Sequence, residues 1–273
     1  IPMTKQTVAV IGGGIAGLAS AWLLRERHQV HLIEGNAYVG GHTHTLDVPG
    51  DRGTVGVDTG FVVLNPRNYP NLCALFRHLD VATQASDMSF AVSADRGRLE
   101  YSGSSLDGLF AQRRNLASPC FLGMLRDILR FNRAARALVL GGEDPGLSLG
   151  AFLDREGLGE TFRRHYLLPM GAAIWSCPMG EMLGFPALSF CRFYHNHGLL
   201  DLRNRPQWRT VVGGSRSYVA RMLEDLPDRA VTGDPAVSVR RRPDGVEVTL
   251  ASGHRLRADQ AVLACHADQA LAL

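Results

Sequence analysis

Thr7-Val8-Ala9-Val10-Ile11-Gly12-Gly13-Gly14-Ile15-Ala16-Gly17-Leu18 decides the fold. Val8 to Ile11 is a short apolar run without polar alternation, the pattern of a central strand in a parallel sheet buried on both faces. Gly12, Gly14 and Gly17 stand in G-x-G-x-x-G register. Leu18 to Arg27 then carries helical apolar spacing through Leu18, Ala21, Trp22 and Leu24. A second apolar run, Val30 to Ile33, ends in Glu34. Strand, glycine turn, helix, strand and acid follow one another as a dinucleotide site requires.

Each part has a physical task. Gly12 permits the tight turn out of the strand. Gly14, without a Cβ, lets a pyrophosphate approach the backbone. Gly17 lets the helix pack close to the sheet. The helix start offers unpaired N–H groups and the positive end of its dipole to the phosphates. Glu34, twenty residues after Gly14, places a carboxylate where ribose hydroxyls can donate to it. The first-turn candidates for cofactor contact are therefore Gly12, Gly13, Gly14, Ala16, Gly17 and Glu34. This unit alone does not separate NAD from FAD. A second glycine pair, Gly40-Gly41, follows closely and is succeeded by His42 and Thr43. It could bring further backbone N–H groups to one long, bent cofactor.

Working outward, 273 residues suffice for one large domain or two moderate ones. The net charge of +3 is too small to argue for nucleic acid. Lys5 is the only lysine, so no later lysine can serve as base or Schiff-base former. Five cysteines are scattered without a C-x-x-C, which argues against a disulfide framework and points to a reducing compartment. No apolar run reaches the length of a bilayer span. The expected location is cytoplasmic, with peripheral membrane contact left open.

The pattern predicts a helix over 67–79, two strands over 88–92 and 97–101, and mostly helix over 104–200. The clearest helix opens at Pro119 and runs to about Leu140. Phe121, Leu125, Ile128 and Leu129 are its expected apolar face. Arg126, Arg130, Arg133 and Arg136 share a neighbouring face, which suits a solvated cover or a patch for anionic lipid or acidic substrate. His165 to Trp175 is apolar almost throughout, and a helix so apolar is expected to be buried. Its small residues Gly171, Ala172 and Ala173 suit either a flat ligand passing close by or tight helix packing. Val211 to Ser215 leads into a helix over 218–226, residues 230–264 read as a β meander, and Gln260 to Ala264 as another buried strand. The expected division is 1–82 and 205–273 for the cofactor domain, with 83–204 inserted as a mainly helical substrate domain.

His42-Thr43-His44 and His195-Asn196-His197 are H-x-H pairs, yet neither has a third ligand at convincing spacing, so no metal is expected. No residue stands out as a catalytic acid or base. Cys177 lacks a clear partner.

Longer stretches carry a family resemblance: GGHTHT (40–45), DTGF (58–61), YPNL (69–72), YSGSSLDGLFAQRRNL (101–116), HYLLPMGAAIWS (165–176), FYHNHGLL (193–200), RPQWRTVVGGS (205–215) and ACHADQAL (264–271). The sequence resembles the flavin-containing amine oxidase superfamily, most of all a bacterial branch of NAD/FAD-binding proteins. The resemblance implies FAD as cofactor, held in a Rossmann-like parallel sheet with a β meander. It adds Gly40, Gly41, His42, Thr43 and Val237 to the cofactor candidates. This chain has His42 where many relatives carry arginine. In the resembling family the polypeptide continues, so an N-terminal fragment is expected, holding the AMP and pyrophosphate half of the FAD site. The implied activity is an FAD-dependent oxidoreductase, amine-oxidase-like or desaturase-like, acting on a small or lipid-like substrate. An NAD-dependent dehydrogenase and a non-catalytic dinucleotide-binding module are the alternatives.

Overall fold

The computed structural model describes residues 5–51, 53–141, 146–201, 205–226 and 230–273. The chain forms two compact units. The first comprises residues 1–64, 69–86 and 209–273, and the second 65–68 and 87–208.

Unit 1 is built on a four-stranded parallel sheet in the order Gln260–Leu263, Thr7–Ile11, Gln29–Glu34, Ala230–Thr232. The strand Thr7–Ile11 is central, and its apolar run is divided between two cores. Val8 and Val10, with Val30 and Leu32, face a layer that includes Leu18, Ala21 and Trp22 of the helix Ile15–Leu24 and Tyr218 and Met222 of the helix Arg216–Glu224. Ala9, Ile11 and Ile33 face Val248, Leu250 and Ala258 of a three-stranded antiparallel meander. Burial on both faces is why these strands show no polar alternation. The meander is Ala236–Arg242, Gly245–Leu250 and Arg255–Ala258.

Two expectations change here. Ala230–Thr232 pairs in parallel with Gln29–Glu34 and is not part of the meander. Gln260–Leu263 is an edge strand, with Leu263 exposed, and is not buried. The chain beyond it forms a short helix, Ala267–Ala272, closed at its start by a capping box between His266 and Gln269.

Unit 2 is mainly helical, with one antiparallel hairpin, Ala91–Ala94 and Leu99–Ser102. The long helix Pro119–Gly141 buries Phe121, Met124, Phe131, Ala135 and Leu138. Phe131 meets Phe152, Phe162, Phe190 and Tyr194 at ring-centroid distances of 5.5–6.5 Å. The buried face is therefore rotated from the expected one, and Leu129 is 54% exposed. The cause is polar. Asp127 turns inward and accepts hydrogen bonds from Arg130 Nη1 (2.9 Å) and the Gly159 N–H (2.9 Å).

The helix Leu168–Trp175 buries only Leu168 and Gly171, while Ala173 and Ile174 are exposed. Full burial is thus overturned. At Gly171 the tight-packing reading holds, because an added Cβ would lie 2.8 Å from Met182 Cε and 3.3 Å from Phe190. Pro169 cannot donate to the carbonyl four residues earlier, that of His165. The Tyr101 hydroxyl donates to that carbonyl at 2.6 Å. Burial holds the Tyr101 phenol well above its ordinary pKa, so the donor proton stays in place. Tyr101→Phe should leave a carbonyl unpaired and lower unfolding free energy by about 1–3 kcal/mol. A denaturant titration checks this, and an unchanged midpoint would show that the carbonyl finds another donor.

Among the described residues no helix is long and apolar enough to cross a membrane.

Candidate cofactor site

The three motif glycines of unit 1 differ in what surrounds them. Gly12 has φ +106°, and an added Cβ would lie 2.6 Å from the Ala264 carbonyl oxygen. A Cβ on Gly17 would lie 1.8 Å from the carbonyl oxygen of Gly12, so helix and strand touch there. A Cβ on Gly14 would meet nothing within 4 Å. Open space thus lies over the residue that caps the helix Ile15–Leu24. That helix start has no side-chain cap and no acidic residue in its first turn. Its first N–H groups, those of Ile15, Ala16 and Gly17, have no partners within the helix. This is the setting an anion such as pyrophosphate requires.

The second glycine turn lies on the first. The Gly40 N–H donates to the Gly13 carbonyl at 2.9 Å, and Gly14 and Gly40 form an isolated parallel bridge. Gly40 (φ +137°) and Gly41 (φ +59°) occupy glycine-favouring conformations. A Cβ on Gly41 would lie 2.9 Å from Gly14 Cα. Thr43 closes this turn: its N–H donates to the Gly40 carbonyl at 3.0 Å, and its hydroxyl is hydrogen-bonded to that of Tyr218. His42 is exposed, with its ring 5.9 Å from that of His266.

Glu34 ends its strand buried at 7% exposure. Its Oε2 accepts from the Gly13 N–H at 2.6 Å, and its Oε1 from the Asn36 N–H (2.8 Å) and Nδ2 (2.9 Å). The carboxylate thus fastens the glycine loop. A carboxylate offers about four acceptor positions, so one remains. Asn36, two residues after the acid, is a contributor that the motif did not reveal. Its carbonyl also accepts from the Gly233 N–H at 2.8 Å.

Val237 lies where the meander register shifts between Ala236 and Ser238 and is 52% exposed. A bulge of this kind leaves one residue out of the ladder. It follows Pro235, which sits against Gly35, 3.1 Å from where a Cβ on that glycine would be. Gly12, Gly13, Gly14, Gly17, Glu34, Gly40 and Gly41 are therefore directly interlocked. Val237 lies two residues beyond the Pro235 that packs on Gly35.

A further network braces the cradle. The Asp58 carboxylate accepts from the Ser215 N–H (2.9 Å), the Ser215 hydroxyl (2.7 Å) and the Thr45 hydroxyl (2.5 Å). It ties the strand Gly53–Asp58 to the start of the helix Arg216–Glu224. Sequence spacing gives no sign of the tie, because Asp58 and Ser215 are 157 residues apart.

Among the described residues no group of three or more His, Cys, Asp or Glu could hold a metal ion. His195 and His197 lie at the end of the helix Ala187–Asn196, with the His197 ring stacked 3.9 Å from that of Phe193. Cys177 Sγ is 3.1 Å from Met182 Sδ, and burial pushes the Cys191 thiol up to about 12. Neither cysteine has the surroundings of an activated nucleophile.

Parallel sheet, open helix start, acid-tipped second strand and paired glycine turns define a dinucleotide-binding protein of the Rossmann-like class. Residues 15–272 match the family described as flavin containing amine oxidoreductase, and the chain belongs to that family. Its cofactor is FAD. AofH of Mycobacterium tuberculosis, assigned by name as a flavin-containing monoamine oxidase, is 28% identical over 264 residues. That match covers 92% of this chain and 55% of AofH, so the chain spans about half the length of the curated relatives it matches. Among solved structures, a putrescine oxidase bound to putrescine superposes with a TM-score of 0.68 at 21% identity, covering 95% of this chain and 58% of that one. A fatty acid isomerase from P. acnes superposes with a TM-score of 0.65 at 15% identity, covering all of this chain and 61% of that one.

Proposed function

We propose that this chain carries the AMP and pyrophosphate half of the FAD site of an oxidoreductase. The enzyme takes hydride from a C–H or N–H bond of a small or lipid-like substrate, in the manner of an amine oxidase or a desaturase. The observation that carries this reading is the open space over Gly14 at an uncapped helix start. When bound, FAD supplies the two-electron acceptor.

The protein's part is binding and orientation. The N–H groups of Ile15, Ala16 and Gly17 hold the pyrophosphate, with Gly12 and Gly13 shaping the turn. The remaining acceptor position of Glu34 takes a ribose hydroxyl. Gly40 and Gly41 bring the second turn against the same phosphates, His42 lies beside them, and Thr43 braces that turn through Tyr218. Val237, out of its ladder, offers backbone groups to the adenine. Unit 2 is the substrate part, and peripheral contact with a membrane would bring a lipid-like substrate to it.

Glu34→Gln replaces one carboxylate oxygen with an NH2 group that must face a donor. We expect at least about a tenfold loss of FAD affinity, from about 1.5–3 kcal/mol for a charged acceptor. Titration of apoprotein checks it, and unchanged affinity would remove Glu34 from the site. The function itself is tested by denaturing the purified protein and weighing the released nucleotide. FAD is the expected mass. NAD would favour a dehydrogenase, and the absence of turnover with bound FAD would favour a binding module.

A further inference from the structure

The long helix Pro119–Gly141 of unit 2 carries a solvent-facing stripe that its packing does not use. Leu122, Leu129 and Leu140 are 44%, 54% and 82% exposed. At about 100° per residue, all three fall within about 20° of one line along the helix, and Arg126 and Arg133 within about 40° of it. The stripe from Leu122 to Leu140 is about 27 Å long at 1.5 Å per residue. The opposite side is the one buried in the aromatic core.

The four arginines of this helix do not form one equivalent set. Arg130 donates to Asp127 (2.9 Å) and to the Glu156 carbonyl (2.6 Å), and Arg136 to the Leu200 carbonyl and Asp201 (both 2.6 Å). These two hold neighbouring segments in place. Arg126 is 3.9 Å from Asp127 and its side chain is 73% exposed. Arg133 is exposed and has no hydrogen-bond or ion-pair partner among the described residues. Asp127, the only acid of the helix, is buried.

We propose that this stripe is a docking surface for an anionic lipid bilayer, with the leucines entering the headgroup boundary and Arg126 and Arg133 meeting lipid phosphates. Exposed leucines interleaved with exposed guanidinium groups suit such an interface, where apolar insertion and attraction to anionic lipid add together. A second copy of the chain fits less well. A two-fold contact through the same patch sets like charges in the two copies against one another. The proposal rests on the reading of unit 2 as the part that meets a lipid-like substrate, and its test does not depend on flavin.

The test is co-sedimentation of the purified chain with vesicles of phosphatidylglycerol and phosphatidylcholine at low salt. Pure phosphatidylcholine vesicles are the comparison, and flavin content is measured separately. The expected result is binding to the anionic vesicles that weakens as salt rises, and much weaker binding to the neutral ones. Arg126→Gln with Arg133→Gln should lower the partition coefficient about tenfold or more. Leu122→Ser with Leu129→Ser should lower it as well. All four substituted side chains are exposed, and an unchanged melting temperature should accompany both effects. Wild-type protein left in the supernatant with anionic vesicles at low salt would overturn the proposal. So would undiminished binding by both double variants. A dimer that the leucine variants convert to monomer would assign the stripe to a chain–chain contact instead. Low flavin with intact vesicle binding would count against the proposed function and leave this surface standing.

Discussion

Gly17→Ala should yield little or no folded protein. The added methyl would sit 1.8 Å from the Gly12 carbonyl oxygen, 3.0 Å from its carbon and 3.2 Å from Ala264 Cβ. Two of these three neighbours are backbone atoms, and they belong to the turn out of the central strand, so no side chain can rotate away. Relief requires lifting the helix Ile15–Leu24 off the sheet. Leu18, Ala21 and Trp22 would then lose their contacts with the core that holds Val8, Val10, Val30 and Leu32. Ordinary overpacking costs about 1–3 kcal/mol. A clash with fixed backbone at the centre of a domain should exceed that and take up most of a typical stability of about 5–15 kcal/mol. Soluble yield and a thermal melt read the effect, with Ala16→Ser, at an exposed position one residue earlier, as the control. A Gly17→Ala protein melting with the wild type would show that the helix does not pack where it is placed.

The cradle was largely legible because its constraints are local and fall on backbone. Gly12, Gly14 and Gly17 are read from spacing alone, since a strand feeding a helix over a phosphate leaves few alternatives. Glu34 follows from the length of one helix and one strand. What stayed hidden is what distant pairing decides. The Thr43–Tyr218 contact joins residues 175 apart. The strand Ala230–Thr232 was read as meander because nothing in three residues says which sheet they join. Asn36 had a faint signal, an amide two residues beyond the acid at a strand end, where such side chains bond nearby backbone.

The long helix was misread for a different reason. Leu129 reads as core from its spacing and is exposed, whereas Asp127 and Asn132 are buried. The inward face holds a buried carboxylate with two donors, and no hydrophobic period reports such a partner. The helix over 168–175 misled in the same direction. Its apolar composition invited full burial, yet it turns Ala173 and Ile174 outward and keeps only Leu168 and Gly171 inside.

Gly14→Val should do the reverse of Gly17→Ala: the protein folds and the flavin is lost. Gly14 has φ −68° and ψ −179°, a conformation open to any L residue, and a Cβ there meets no atom within 4 Å. The folded chain therefore accommodates a larger side chain. The cost is limited to a poorer residue at the start of the helix, about 1 kcal/mol. The space is empty only of protein, and it lies over N–H groups at the positive end of the helix. A pyrophosphate drawn to those groups must approach the backbone more closely than a branched side chain allows. Losing contact with even two or three N–H donors to a charged oxygen, at about 1.5–3 kcal/mol each, lowers affinity by about two orders of magnitude or more. Purified Gly14→Val should be colourless, with far-ultraviolet circular dichroism close to that of the wild type and a melting temperature close to that of the wild-type apoprotein. Comparison with apoprotein matters because bound flavin by itself raises the melting temperature. Stoichiometric flavin in the variant would mean that the pyrophosphate lies elsewhere, and the anion site at this helix start would have to be abandoned.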